Sequence, residues 1–435
     1  MYNLRGGFLL RPLIIALALG FLGALISWLE EVMPAISDLV PRALFPSHAD
    51  PQVAQVILAG IAGSIMTVVS IVFAIVLMTL TLASMQFSPR IIVSFSRDRV
   101  TQWTLGIFLG TFCYCMAALP AARSKPEPFA PVATVLGAML LAIACVGWLL
   151  FFIHHITQAI SVSHIVDRIA GETVAMIDTL MPERRAANLI RHEPEPPGVD
   201  ETPVAGEISG YVRFVDIPAL LGVAKACHVT LRVLWRVGQF VPAGTPLLMA
   251  TKASRIAPEK VAEIREAFDI GPSRTLEQDI EFGVLQIVDI ALKAISPAVN
   301  DPTTAITSID QLSRILIRFL SRERLSPLYY DPPGVLRVSF PWIDFDHLVI
   351  SAFEQIRMYS KGDVAVSLRM LRALAAIAAA SVDPAEKGRL HEQARRTVAG
   401  CAERMSEAEL TPLRARFLMI EKTAGSQNAV ESPRP

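Results

Sequence analysis

The stretch VILAGIAGSIMTVVSIVFAIVLMTLTLAS, residues 56–84, contains no charged side chain and decides the class of this protein. About 20 apolar residues cross the hydrocarbon core of a bilayer as a helix, because each residue rises about 1.5 Å and the helix satisfies its own backbone polar groups. The stretch exceeds that minimum, so its helix can tilt or project beyond the bilayer. We therefore predict a transmembrane helix here.

Three further apolar runs, at residues 13–29, 103–119 and 132–153, carry no charged side chain in their central parts. Each is about as long as a bilayer-spanning helix requires. The sequence therefore predicts an α-helical integral membrane protein with four transmembrane helices, which form a domain over residues 1–155.

Positive charges are distributed unevenly between the predicted loops. Arginines precede the first run and occur again between the second and third runs, whereas the segment between the first and second runs is mainly acidic. Lysine and arginine are retained on the cytoplasmic side of a membrane, so the pattern predicts that both termini are cytoplasmic. The balance of 40 lysines and arginines against 40 aspartates and glutamates gives no reason to expect nucleic acid as a partner.

The remaining chain changes character several times. Helical spacing of apolar residues continues beyond the fourth run and predicts a helical stalk over residues 156–190, and the segment 191–203, rich in proline and glutamate, predicts a linker. Valine-rich segments broken by glycine predict a small β-barrel-like module at 204–252. A mainly helical domain is predicted over 258–425 and a disordered tail over 426–435. Together these segments form a predicted cytoplasmic α+β region.

The stretch SPAVNDPTTAI, residues 296–306, separates two apolar helical segments. Pro297 disfavours helical geometry in the residue before it, and Asp301 followed by Pro302 is typical of the start of a helix. The stretch therefore predicts a joint between two helices. Capping does not require Asn300 and the two threonines together, which leaves open a site for a ligand or a cation.

Polar side chains on the two flanking helices extend this candidate site. Their spacing puts several on one face of the first helix, and Asp310 on the second helix is predicted to pair with Arg314, four residues later. The set either fixes the angle between two packed helices or binds a ligand or cation. The candidate residues are Asp279, Gln286, Asp289, Asn300, Asp301, Thr303, Thr304 and Asp310.

The long apolar run at residues 56–84 also carries hydroxyl groups at helical spacing. Hydroxyls and glycines on one face suit either close helix packing or a mildly polar pore wall in an oligomer. The predicted membrane helices have no ionisable group in their central parts, which argues against a proton-coupled carrier. The candidate pore-lining residues are Ser64, Thr67, Ser70, Gln86 and Arg90.

Four phrases carry a resemblance to a known family: ASMQFSPRII at residues 83–92, GIFLGTFCYC at 106–115, RTLEQDIEFG at 274–283 and ALKAISPAVNDPTTAI at 291–306. In these phrases the chain is similar to a bacterial family of predicted membrane proteins, known as domain of unknown function twenty-two fifty-four. The resemblance covers nearly the whole chain and implies a multi-pass protein of the bacterial inner (plasma) membrane. The family has no established activity that could be carried over.

The sequence contains no GxxxxGK[ST], HExxH, GxSxG or GxGxxG motif, so we do not predict an enzyme, a cofactor or a metal site. Two hypotheses for function remain. The first is a homo-oligomeric ion channel, or a channel-like transport protein for a small ion, with a cytoplasmic regulatory domain. The alternative is a membrane-anchored sensor or scaffold whose cytoplasmic domain binds a ligand or a protein partner.

Overall fold

A computed structural model describes residues 10–33, 37, 50–86, 99–123, 128–159, 161–183 and 201–428 of the 435-residue chain. The chain divides into two compact units, Met1–His164 and Ile165–Pro435. We call them the N-terminal unit and the C-terminal unit and describe each by itself.

The N-terminal unit contains four long helices, α1 (Leu10–Val32), α2 (Pro51–Gln86), α3 (Arg99–Ala118) and α4 (Val132–Ala159). A short 3-10 turn, Leu119–Ala121, follows α3. All four helices are long and apolar enough to cross a membrane. The prediction of four apolar, membrane-spanning lengths of helix near the start of the chain is therefore confirmed.

Glycines let α1 and α3 approach each other closely. A Cβ added at Gly106 would lie 2.7 Å from Ile15 Cδ1, and one at Gly23 would lie 2.6 Å from the carbonyl oxygen of Tyr114. The side chain of Leu19 likewise occupies the space that a Cβ on Gly110 would need. Small residues at a helix crossing allow the backbones to pack directly, which is the common solution between membrane helices. The glycines of α1 and α3 therefore serve packing inside this unit.

Glu30, near the end of α1, supplies hydrogen-bond acceptors to the start of α4. Its fully buried carboxylate accepts from the backbone N–H of Ala133 at 2.8 Å and from that of Thr134 at 3.1 Å. The first N–H groups of a helix have no partner within the helix, and the helix dipole favours a negative charge there. Glu30 thus fixes the end of α1 against the first turn of α4.

The C-terminal unit begins along α5 (Val162–Leu180). This helix buries Ile165, Ile169, Thr173 and Ile177, one residue per turn, as its apolar spacing predicts. Residue 160 is not described and Ser161 is outside the helices, so α4 and α5 are separate elements within the predicted stalk. The rest of that stalk beyond residue 183, and the predicted linker up to residue 200, lie outside the described residues.

Eight strands follow, interleaved with helices. Their bounds are β1 (Glu201–Ala205), β2 (Gly210–Val215), β3 (Leu231–Val233), β4 (Phe240–Val241), β5 (Pro246–Thr251), β6 (Phe268–Gly271), β7 (Leu328–Asp331) and β8 (Val335–Ser339). They form a five-stranded sheet in the order β1-β5-β3-β8-β7 and a three-stranded sheet in the order β4-β2-β6. The helices α6 (Ile217–Cys227) and α7 (Pro258–Glu266) lie between these strands in the chain.

The sheets do not close into a barrel, which corrects the β-barrel-like module predicted for residues 204–252. The physical reason is a long-range pairing. Strand β3 pairs in parallel with β8, so that Leu231 lies opposite Val338, and β8 belongs to a later segment of the chain. Strand β1 begins at Glu201, inside the predicted linker, and pairs with β5. Local alternation of apolar residues contains no information about such partners.

Six further helices complete the C-terminal unit: α8 (Ile280–Ala294), α9 (Pro302–Ser321), α10 (Phe345–Tyr359), α11 (Val364–Ala380), α12 (Pro384–Ala402) and α13 (Glu407–Asn428). Helices α8 to α12 each follow an aspartate whose side chain accepts a hydrogen bond from the first turn; these are Asp279, Asp301, Asp344, Asp363 and Asp383. Helix α13 runs past the predicted boundary at residue 425, and residues 429–435 are not described.

Candidate functional site

The stretch from Ser296 to Asn300 is a tight connection between α8 and α9. The N–H of Asn300 donates to the carbonyl of Ser296 at 2.9 Å, and the N–H of Asp301 donates to the carbonyl of Ala294 at 2.8 Å. Asp301 caps α9 and Pro302 occupies its first turn. The predicted joint between two helices is confirmed in this respect.

Asp301 uses both carboxylate oxygens within the joint. Oδ1 accepts from the N–H of Thr304 at 3.1 Å and Oδ2 accepts from the hydroxyl of Thr304 at 2.6 Å. The hydroxyl bond and the backbone bond from Thr304 hold the pKa of Asp301 below its ordinary value, although burial opposes them. The aspartate is therefore ionised near neutral pH, and its charge is directed at the start of α9.

Asn300 is exposed and has a φ of 50°, in the left-handed region. Asparagine tolerates this conformation better than residues with larger or branched side chains, and glycine tolerates it best. A position in a left-handed turn is thus one physical reason for asparagine here. Thr303 is also exposed, and its carbonyl accepts from the hydroxyl of Thr307 at 3.0 Å.

A role of Asn300 in the turn and a role of its amide in a ligand site predict opposite results for substitution by glycine. If Asn300 serves the turn, Asn300→Gly keeps the thermal stability of the protein or raises it slightly, and Asn300→Ala lowers the free energy of unfolding by about 1 kcal/mol. Thermal unfolding of the purified full chain measures both. A larger loss in Asn300→Gly than in Asn300→Ala would show that the amide itself makes an essential contact.

Helix α9 directs its charged side chains towards neighbouring helices of the C-terminal unit. Asp310 forms an ion pair with Arg369 of α11, while Arg314 donates to Asp167 of α5 at 2.9 Å. The predicted pair between Asp310 and Arg314 is therefore replaced by two pairs with other helices. One turn later Arg318 donates to both oxygens of Asp178 at 2.6 and 2.8 Å.

Two other candidates lie along α8. Gln286 is buried and Asp289 is half-buried. Asp279 and Asn300 lie at opposite ends of this 15-residue helix, which is about 22 Å long at 1.5 Å per residue. The predicted cluster is therefore divided between two places, the joint after α8 and a charged network before it.

Asp279, at the start of α8, belongs to the more buried of the two places. Its side chain is 2% exposed and accepts two hydrogen bonds from Arg274, at 2.7 Å from Nε and 2.8 Å from Nη2. Oδ1 also accepts from the N–H of Phe282 at 3.0 Å, which caps the helix. A bidentate pair of this kind fixes both side chains in one orientation.

Glu281 joins this pair to α10 and to the segment between β3 and β4. It accepts from Arg274 at 3.0 Å, from the hydroxyl of Ser351 at 2.9 Å and from Arg236 at 3.4 Å. Nε2 of His347 lies 2.7 Å from the same carboxylate. Burial by itself would raise the pKa of Glu281, but the Ser351 bond and the two guanidinium charges outweigh it and lower the pKa.

We call Arg236, Arg274, Asp279, Glu281, His347 and Ser351 the α8 network. Of its members only Asp279 was predicted. Arg274, Asp279 and Glu281 lie close together within RTLEQDIEFG, and their spacing is a local signal that could have indicated these three residues. Arg236 and His347 come from distant segments, and the sequence carries no local sign that they meet at Glu281.

Backbone conformation and a small cavity shape the edge of the α8 network. Gly238 has a φ of 90°, and a Cβ there would overlap the side chains of Arg274 and Asp279. A cavity of about 20 Å³ is lined by Arg236, Asp279 and Trp342 among others. Its volume is enough for a single water molecule. Among the residues that the structure describes, no group of three or more His, Cys, Asp or Glu side chains could hold a metal ion.

The candidate pore-lining residues lie on α2. Ser64, Thr67 and Ser70 are exposed on the N-terminal unit. The hydroxyl of Thr67 donates to the carbonyl of Gly63 at 3.1 Å, and that of Ser70 donates to the carbonyl of Met66 at 3.0 Å. Gln86 is the last residue of α2 and its side chain is not described, and Arg90 lies outside the described residues.

Comparison with known proteins identifies relatives without a known activity. A family described as "Predicted membrane protein (DUF2254)" matches residues 5–376. Uncharacterized proteins of Mycobacterium bovis and of Mycobacterium tuberculosis H37Rv are each 30% identical over 401 residues, which cover 91% of this chain and 76% of theirs. No solved structure matches. With four apolar helices and a family match over most of its length, the chain belongs to the DUF2254 family of predicted membrane proteins.

Proposed function

We propose that this protein forms a homo-oligomeric ion channel, or a channel-like transport protein, in the bacterial inner membrane, with α2 lining the pore. Both termini are cytoplasmic in this proposal, and the C-terminal unit regulates conduction. The observation that carries the proposal is the outward face of α2 in the N-terminal unit.

Between residues 60 and 70 that face consists of small and hydroxyl-bearing side chains, and beyond this stretch Val56, Ile71 and Met78 continue the same arc with exposed apolar side chains. At 100° per residue, Gly60, Gly63, Ser64, Thr67 and Ser70 fall within an arc of about 120° on α2. All five are exposed, and a Cβ added at Gly60 or Gly63 would meet nothing within 4 Å. The opposite face is buried through Leu58, Ala62, Ile65 and Val72.

The contrast with α1 and α3 supports this interpretation. The space beside each glycine of α1 and α3 is occupied by side chains or backbone of the same unit, whereas the space beside Gly60 and Gly63 of α2 is empty. Because the hydroxyls of Thr67 and Ser70 already bond to backbone carbonyls, their oxygens retain lone pairs that can contact water or a cation without leaving a polar group unsatisfied. An oligomer in which these faces surround an axis would have a mildly polar pore wall.

Reconstitution of the purified protein into planar bilayers tests the proposal. We expect conduction in the wild type, and a fall of roughly tenfold or more in single-channel current in Thr67→Leu and Ser70→Leu, because leucine adds apolar volume to the proposed pore wall and can cause the pore to dewet. Met66→Leu is a matched control, since Met66 is exposed beside the face and the change conserves volume.

Two outcomes would contradict the proposal. A protein that never conducts, across ions and voltages, would exclude the channel and favour the alternative of a membrane-anchored sensor or scaffold. Conduction that is equal in Thr67→Leu, Ser70→Leu and Met66→Leu would exclude α2 as the pore lining.

A further inference from the structure

His347 in the α8 network makes two contacts through one nitrogen atom. Its Nε2 lies 2.6 Å from Nη2 of Arg236 and 2.7 Å from Oε1 of Glu281. Arginine can only donate hydrogen bonds, and an ionised carboxylate can only accept them. A lone pair on Nε2 therefore suits Arg236, and a proton on Nε2 suits Glu281. The two contacts require opposite states of the same atom.

The charge state of the imidazole decides between them. A neutral imidazole can carry its proton on Nδ1 and accept from Arg236 through Nε2. Glu281 does not depend on His347 in that state, because Arg274 and Ser351 also donate to it. An imidazolium has a proton on both nitrogens, so it donates to Glu281 and repels the guanidinium of Arg236.

We infer that His347 is a proton-controlled latch in the C-terminal unit. The neutral imidazole accepts a hydrogen bond from Arg236, and the protonated imidazole loses that bond and donates to Glu281 instead. The inference does not depend on conduction. It concerns the segment between β3 and β4, which carries Arg236, and its attachment to α8 and α10. Besides this bond, Nη2 of Arg236 makes only a longer contact, 3.4 Å to Oε2 of Glu281, among the described side chains, and Nε of Arg236 is buried without a hydrogen-bond partner among the described residues.

The charged groups around His347 come from three elements besides its own helix. Glu281 belongs to α8, Arg274 to the segment before α8, and Arg236 to the segment after β3. On its own helix, Asp344 accepts from the backbone N–H of His347 at 2.7 Å, and Asp346 pairs with Arg389 of α12. His347 is 42% exposed, so protons from the solvent reach it directly.

Hydrogen–deuterium exchange of the full chain in detergent, at pH 7.5 and 5.5, tests the latch. After correction for the intrinsic rate, exchange of residues 234–240 should rise roughly fivefold at the lower pH, as expected for the net loss of one ordinary hydrogen bond from a partly exposed site. His347→Gln should abolish this difference, because its amide can accept from Arg236 and donate to Glu281 at either pH. His347→Lys, which has no acceptor, should exchange like the acidic wild type at both values.

A matched variant separates the latch from general acid sensitivity. His391→Gln removes a histidine of α12 that lies outside the α8 network, and it should keep the pH difference in residues 234–240. The proposal is overturned if the wild type shows no difference, or if His347→Gln retains it. Exchange of α11, measured in the same samples, should stay equal in all variants and shows that each one is folded.

Discussion

Replacing Gly283 with alanine is expected to destabilise the C-terminal unit strongly. A Cβ at this position of α8 would overlap the hydroxyl of Thr173 on α5 and would lie 3.0 Å from both Cβ and Cγ2 of that threonine. Thr173 is fully buried, and its hydroxyl already donates to the carbonyl of Ile169 at 2.7 Å. The threonine cannot turn away without losing that bond, so the two helices must separate.

Two opposing contributions to the free energy of unfolding set the size of this effect. Overpacking a filled site costs about 1–3 kcal/mol or more, and alanine in a helix is favoured over glycine by up to about 1 kcal/mol. Because the overlap involves three atoms of Thr173, we expect a net loss of about 2 kcal/mol. In a unit of this size that lowers the melting temperature by roughly 4–8 °C, which thermal unfolding of the purified full chain would measure.

Gly222→Ala is the matched control, because Gly222 lies inside α6 and a Cβ there would meet nothing within 4 Å. That substitution should leave the melting temperature unchanged or raise it. In the Gly283→Ala background, Thr173→Ala should recover part of the loss, since it removes the overlapping hydroxyl and Cγ2. Equal melting temperatures for Gly283→Ala and Gly222→Ala would mean that α5 and α8 do not pack as closely as described.

Features that depend on neighbouring residues could be predicted from the sequence. Residues 56–84 contain no charge, and their helix follows from that composition alone. Asp301 followed by Pro302 predicts the start of α9 because capping involves residues within one turn. Asp279, in contrast, is predicted only as a member of the polar cluster, whereas in the structure it caps α8.

Features that depend on distant partners could not be predicted. Asp310 was paired with Arg314 because they are four residues apart, yet it binds Arg369, and the geometry of α9 against α11 decides the matter. The barrel-like module was wrong because β3 pairs with β8. For the same reason Arg236 and His347 were missed, since each reaches Glu281 only through the tertiary fold.

Arg274→Ala is expected to be the most destabilising single substitution in the α8 network. It leaves the carboxylate of Asp279, which is 2% exposed, without its bidentate partner, and it removes one of the donors to Glu281, which is 11% exposed. Removing one partner of a buried ion pair costs about 3–5 kcal/mol, because the remaining charge stays out of water. We expect a loss of this order at pH 7.5, and hence a fall in melting temperature of roughly 6–20 °C.

The loss should depend on pH in a definite direction. The pKa of Glu281 in the folded protein is below its ordinary value of 4.5, so its contribution to stability is present above that value and is lost as the pH falls through the folded pKa. Without Arg274 the carboxylate of Glu281 is more easily protonated, which removes a buried charge that has lost one of its partners. The difference in stability between the variant and the wild type should therefore be full at pH 7.5 and shrink on acidification below about pH 5.

An exposed ion pair with the same bidentate form provides the control for this experiment. Arg414 donates to both oxygens of Glu407, at 2.7 and 3.2 Å, on the exposed surface of α13. Arg414→Ala should cost at most about 1 kcal/mol, since exposed pairs are screened by water. In the Arg274→Ala background, Glu281→Gln should recover part of the stability at pH 7.5, because it removes one of the charges left without a full set of partners. If Arg274→Ala costs no more than Arg414→Ala, the network is open to solvent, and burial cannot be the reason that Arg274, Asp279 and Glu281 are held together.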